Sequence, residues 1–346
     1  MQITDFIIDP NSSVIDAMKQ IDQNANGIVY ICSNMKLIGV LTDGDIRRYI
    51  LKNGDLKCPV SEIGNKDPKY LTLEEENKAN TIMRKYKIRS IPILNTSSEI
   101  VKLCFLEDSA EKNKPQLKVP VAIMAGGKGT RLYPYTQILP KPLIPIGEKT
   151  ITEHIMDHFL AYGCTHFDMI VNYKKNFIKS YFLDNEITRD ISFIDEKEFM
   201  GTGGGLKLLE GRYSSTFFMT NCDILVEEDY GEILNFHRDN KNLVTMICAV
   251  KQTTIPYGTV DVSECGQVLR LNEKPELSFI TNTGFYILEP DFLRKIPSNT
   301  FIHITDLIQK CVDQGERVGV YPIAEEHWLD MGQLEELERM KAHLNV

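Results

Sequence analysis

Residues 119–132 read Val-Pro-Val-Ala-Ile-Met-Ala-Gly-Gly-Lys-Gly-Thr-Arg-Leu, and their reading decides the fold. Val119 to Met124 is an apolar run, as expected of a strand covered on both faces, and it empties into a glycine-rich loop. Glycines let backbone N–H groups close around a polyphosphate, so Ala125, Gly126, Gly127, Gly129 and Thr130 are the expected nucleotide-binding residues. Arg131, and ten residues later Lys141 in Pro140-Lys141-Pro142, add fixed positive charge. The spacing is neither that of a P-loop nor that of a dinucleotide-binding turn. A nucleoside triphosphate is the ligand these parts suit.

The chain has 346 residues, comfortable for two domains that each bury a core. Apolar content of 42% and charged content of 25% are those of a soluble globular protein. A net charge of -9 argues against a nucleic-acid partner. The amino terminus lacks a basic, apolar leader, and no run approaches the ~18 apolar residues of a membrane span. Eight cysteines without C-x-x-C spacing read as reduced thiols. A cytoplasmic protein is expected.

Residues 111–118 are polar and interrupted by Pro115, which marks a linker. The expected boundaries are 1–112 for a first module and 118–346 for the domain holding the loop. Within the first, Gly27-Ile28-Val29-Tyr30-Ile31 and Ser90-Ile91-Pro92-Ile93-Leu94 lie 63 positions apart, as do Asp45 and Asp108. Each strand follows a helical pattern: Val14, Ala17, Met18, Ile21, then Ala79, Ile82, Met83, Tyr86. Two such units are expected to share one core.

Downstream of the loop, Thr150 to Glu153 reads as a capping box opening a helix that ends at Gly163. A strand follows at Phe167 to Val171. Alternating strands and helices predict a Rossmann-like α/β domain with a mostly parallel sheet and ligands at the strands' carboxyl ends. Phe217 to Asn221 is another buried strand, and Asp223 just beyond it suits Mg²⁺. Glu198 heads a run through Gly201 and Thr202 to Gly203-Gly204-Gly205, glycines expected to lie against a flat ligand.

From Met124 to Leu143 the chain resembles the sugar-1-phosphate nucleotidylyltransferases, whose pattern L-A-G-G-x-G-T-R-L-x-P-x-T-x-x-x-P-K-P-L changes only at Met124. The resemblance implies that Glu198, Gly201 and Thr202 read the base. A carboxylate matches guanine's adjacent N1–H and 2-amino donors and meets repulsion from the carbonyls of uracil, which favours GTP. It further implies that Asp330, in Trp328-Leu329-Asp330-Met331-Gly332, shares Mg²⁺ with Asp223. Lys274 would grip the sugar phosphate and Glu273 a sugar hydroxyl, while Gly258, Asn282 and Thr283 would line the sugar pocket.

Gly39 to Arg48 resembles the CBS domain, an α+β module that occurs as tandem (Bateman) pairs and often binds adenosine-type nucleotides. Thr42 would face a phosphate and Asp45 the ribose. In the second copy Phe105 stands where the hydroxyl residue belongs and Lys102 replaces the glycine, so one adenine-nucleotide site is expected. Pairs of these modules commonly associate, so a homo-oligomer is expected too. The domain order with the guanine argument resembles the glucosamine-1-phosphate guanylyltransferases of legionaminic acid synthesis. Alternatives are guanylyl or uridylyl transfer to mannose, heptose or glucose 1-phosphate, and a nucleotide-sensing subunit with a dead transferase domain. That last would lack Arg131, Lys141, Asp223 or Lys274; all four are present.

Overall fold

The computed structural model describes all residues except 1, 25, 53, 87, 107–113, 185–189, 345 and 346. The chain separates into two compact units, 1–113 with 252–278, and 114–251 with 279–346. Residues 252–278 were expected within 118–346 but group with the first unit. The strands Val244–Thr254 and Glu276–Leu288, of 11 and 13 residues, run on into an antiparallel ribbon, Thr259–Val262 against Val268–Asn272.

The repeat appears in the first unit as two three-stranded sheets of the same topology. Ile7–Ile8 lies parallel to Ile28–Ser33, which pairs antiparallel with Lys36–Thr42. Leu71–Thr72, Ser90–Leu94 and Ile100–Phe105 repeat that arrangement. The copies share a core of Phe6, Tyr30, Cys32, Leu94 and Ile100, and the Tyr30 and Ser90 hydroxyls meet inside it at 2.6 Å. Phe105 joins this core, its ring 5.0 Å from that of Phe6. The helix Val14–Asn24 buries Val14, Ala17 and Ile21, matching its periodicity. The helix Ala79–Tyr86 buries Ala79 and Met83, but Tyr86 at its end is exposed. Asp108 and residues 111–113 of the linker lie outside the described residues.

The second unit is built on a seven-stranded sheet. Its spatial order is Asp190–Asp195, His166–Val171, Val121–Ala125, Phe217–Asn221, Glu276–Leu288, Val244–Thr254, Val318–Ala324. The first four strands run parallel to one another, and Glu276–Leu288 is antiparallel to Phe217–Asn221. Alternate residues of Val121–Ala125 feed two cores: Val121, Ile123 and Ala125 on one face, Ala122 and Met124 on the other. Helices cover both faces, which is why the strand reads as an unbroken apolar run.

The helix Ile151–Ala161 opens on the expected capping box, with the Glu153 carboxylate accepting from Thr150 N at 2.7 Å and Thr150 Oγ1 accepting from Glu153 N. Its Phe159 packs among Phe218, Tyr230 and Phe285, each side chain adding ~1.5–3 kcal/mol by burial. All eight cysteines are free thiols, and Cys265, in the turn of the ribbon, is the exposed one. No helix among the described residues is long and apolar enough to cross a membrane.

Candidate active site

The order of the sheet reverses at Val121–Ala125: the chain first adds strands on one side, then returns to lay Phe217–Asn221 on the other. Loops leaving such neighbours in opposite directions open a crevice at their carboxyl ends, where ligands of α/β sheets bind. The glycine-rich loop leaves the first strand there and Asp223 the second, with Cys222 N donating to Met124 O at 3.2 Å.

Each part of the loop has a local cause. Gly129 sits at φ 65°, and a Cβ there would lie 3.0 Å from Thr136 Cγ2 and 3.3 Å from Lys141 Cβ, so only glycine lets the lysine stem pack so close. Thr136 Oγ1 donates to Gly129 O at 2.8 Å and pins the turn. Leu132 is buried beneath it, leaving Gly127, Lys128, Thr130 and Arg131 on the surface. Thr152 Oγ1 donates to Pro142 O at 2.9 Å, which ties the Lys141 segment to the capped helix.

Lys141 Nζ forms an ion pair with Asp223 Oδ2, both side chains largely shielded from solvent. Antiparallel pairing of Ile224–Val226 with Trp328–Asp330 sets Ile224 opposite Asp330 and brings Asp330 beside Asp223. Met331 N donates to Asp223 O at 3.0 Å and locks this register. The Asp330 carboxyl is pushed up to about 6, first by burial and then by the Asp223 charge, while Lys141 and Arg131 pull it back. Residues distant in sequence, 131, 141, 223 and 330, therefore lie within one electrostatic neighbourhood. Two shielded carboxylates, one of them paired with Lys141, form a hard-oxygen donor pair that fits a divalent cation. Among the described residues no group of three or more His, Cys, Asp or Glu side chains is gathered for a metal. A pair is what Mg²⁺ takes when phosphate and water complete its shell.

Glu196, which sequence reasoning did not single out, lies against the loop. It is 2% exposed, its Oε1 accepts from Met200 N at 2.8 Å, and a Cβ on Gly126 would stand 2.8 Å from its Oε2. Burial raises its carboxyl above the ordinary range. Glu198, expected to meet the base, is exposed. The signal was present: Glu196 directly follows the strand Asp190–Asp195, as Asp223 follows Phe217–Asn221.

A model of the nucleotidyl transferase family matches residues 121–345. The chain belongs to that family. A CBS domain model matches residues 2–52. The nucleotidyl transferase chain is 30% identical to a UTP–glucose-1-phosphate uridylyltransferase of Synechocystis over 233 residues, covering 61% of this chain and 60% of that one. It is 28% identical to a mannose-1-phosphate guanylyltransferase of Mycobacterium tuberculosis, covering 66% and 65% respectively. It thus spans about 60–65% of the length of these curated relatives. Among solved structures, HddC of Yersinia pseudotuberculosis superposes with a TM-score of 0.52 at 23% identity, over 65% of this chain and 99% of that one. That likeness concerns the fold.

Other expected site residues of this nucleotidyl transferase are differently employed. Gly203 and Gly204 press against the chain's own segment 300–304: a Cβ on Gly204 would lie 2.4 Å from Thr300 O, and one on Gly203 2.9 Å from His303 C. Gly201, at φ 79°, faces Ile302 O, and Thr202 Oγ1 accepts from Ile304 N at 3.2 Å. The glycine run was read as flattened against a ligand; on these sides close packing of backbone on backbone is the reason for it. Thr283 is buried, its hydroxyl donating to Ile247 O at 2.6 Å, so it offers nothing to a sugar. Asn282 Nδ2 donates to Tyr286 OH at 2.6 Å.

Gly258, Glu273 and Lys274 belong to the ribbon of the first unit, where a Cβ on Gly258 would lie 2.9 Å from Glu273 Oε2. Thr42 and Asp45 are committed to each other: Thr42 Oγ1 donates to Asp45 Oδ2 at 2.7 Å and the pair caps the helix Asp43–Ile50.

Proposed function

We propose that this nucleotidyl transferase joins a nucleoside triphosphate to a sugar 1-phosphate, giving an NDP-sugar and pyrophosphate. The observation that carries the reading is the meeting of the glycine loop, the Lys141–Asp223 pair and Asp330 at the reversal of strand order. A phosphate monoester loses its second proton near ~pH 6, so the attacking oxygen is ionised at neutral pH and no general base is required. The obstacle is repulsion between anions. Loop amides and Arg131 hold the β,γ-phosphates, and Lys141 neutralises the α-phosphate. Asp223 and Asp330 hold Mg²⁺, which when bound offsets phosphate charge. A phosphate oxygen then bonds to the α-phosphorus as pyrophosphate departs.

GTP is the preferred nucleotide in this reading. The buried Glu196 carboxylate, rather than exposed Glu198, supplies the acceptor pair for guanine's N1–H and 2-amino group. Glucosamine 1-phosphate is the proposed sugar and an adenine nucleotide the proposed ligand of the CBS module. Uridylyl transfer to glucose 1-phosphate is the second reading, favoured by the Synechocystis relative. Pyrophosphate release measured across four triphosphates and a range of hexose 1-phosphates tests both. Highest kcat/KM for GTP with glucosamine 1-phosphate is expected. No release with any pair refutes the reaction, and a UTP–glucose optimum refutes the preference.

A further inference from the structure

Between the two cations Arg131 and Lys141 the chain has little apolar anchorage. Of residues 133–139 only Thr136 is buried, while Tyr135 and Ile138 are 57% and 75% exposed. Hydrogen bonds must therefore hold this stretch in place. Thr136 supplies one, to Gly129 O. The short helix Tyr135–Ile138 then runs into two prolines. In a helical turn Gln137 O accepts from residue 140 or 141, and Ile138 O from residue 141 or 142. Pro140 and Pro142 carry no N–H, so each carbonyl loses one of its two local donors.

Lys174 meets both carbonyls from outside the segment. Its Nζ donates to Gln137 O and to Ile138 O, the second at 2.8 Å. The same ammonium lies 5.5 Å from the centre of the Tyr173 ring and 5.9 Å from that of Phe177. A cation at the carbonyl end of a helical turn is also favoured by the turn's dipole. Lys174 holds this place from a costly backbone conformation, at φ 50° in the left-handed region. Such a conformation persists only where the surroundings enforce it, and it is commonest beside functional sites. The turn it occupies is tied to the rest of the crevice. Tyr173 N donates to Gly126 O at 3.4 Å, and Asn172 Nδ2 donates to Glu196 O at 3.0 Å.

We propose that Lys174 is a positioning residue for nucleotidyl transfer, clamping the end of the helix Tyr135–Ile138 and so fixing Arg131 and Lys141 about the triphosphate. It acts through the backbone of 137 and 138 and touches no substrate. A misplacement of about 1 Å in such a charge can cost on the order of 10² in rate. This kinetic role rests on the transfer reading, whereas the clamp itself stands on the hydrogen bonds.

Lys174→Met removes the charge and keeps a long stem, and Lys174→Arg keeps charge and donors. Both are tested in the full chain. Hydrogen exchange of peptides spanning 133–141, followed by mass spectrometry without substrate, should be about tenfold faster in Lys174→Met and near wild type in Lys174→Arg. In a pyrophosphate-release assay the kcat of Lys174→Met should fall about tenfold or more, with either KM changed less than about threefold, and Lys174→Arg should restore most of it. Unchanged exchange at 133–141 would overturn the clamp. Faster exchange spread over the whole sheet, or faster local exchange with kcat within about twofold of wild type, would overturn the positioning role. A wild-type chain that never releases pyrophosphate would overturn the reaction itself, a result distinct from these because exchange needs no substrate.

Discussion

Lys141 and Asp223 each neutralise the other, so removing one strands a charge in a shielded crevice. Lys141→Ala is expected to cut turnover by ~10²–10³ in a pyrophosphate-release assay, in the range seen when a fixed transition-state charge is lost. Turnover within a factor of two of wild type would remove Lys141 from the chemistry. Glu196→Gln tests base reading. The amide oxygen can still accept from Met200 N, but its NH₂ meets guanine's donors, so the advantage of GTP over UTP in kcat/KM should shrink at least tenfold. An unchanged ratio would leave Glu196 a structural residue. Arg131, Lys141 and Asp223 were legible because strand, loop and charge follow one another within a few residues. Glu196 and Glu198 were not separable, since two carboxylates two positions apart look alike until the turn after Asp195 buries one of them.

At the level of elements, glycines of the two loops should respond differently to a methyl group. Gly204→Ala drives its Cβ to 2.4 Å from Thr300 O and is expected to cost ~1–3 kcal/mol in urea denaturation. Gly127→Ala meets nothing within 4 Å, so its stability should be near wild type. Equal stabilities for the two variants would contradict the packing described for segment 300–304. The cap of the helix Ile151–Ala161 was readable from local chemistry, because Thr150 and Glu153 bond to each other's backbone; the Tyr181 hydroxyl, which also donates to Glu153 Oε2 at 2.8 Å, was not. The purpose of the triple glycine was not. A ligand face and a tight backbone crossing demand the same missing side chain, and only the return of residues 300–304 distinguishes them. The Thr283 hydroxyl failed as a sugar contact for a similar reason, its acceptor being 36 residues away in a neighbouring strand.

Across the whole molecule, stability should depend on pH through His158. Burial first, and the Lys114 charge second, lower its ring from 6.5 to about 4, against smaller pulls from Glu227 and the Glu228 backbone. An unfolded chain takes up this proton below pH ~6.5 while the folded one refuses it until about 4. Stability is therefore complete above 6.5 and falls between 6.5 and 4, by roughly 3 kcal/mol. Urea midpoints for wild type and His158→Phe should diverge in that window, the variant losing less; parallel curves would exclude His158 as the cause. Two units were legible from the polar linker and the repeat, because composition changes where a core ends. The ribbon's membership was not, because two long strands carry it away from the sheet on which they start.

That ribbon also carries an experimental convenience. Its turn holds Cys265, outward-facing, while Cys32, Cys164, Cys222, Cys248 and Cys311 are sealed inside. Brief treatment with a maleimide dye should tag the tip first, on the same hairpin as Glu273 and Lys274. A fluorophore there would follow, in real time, what the hairpin does when a phosphorylated sugar arrives.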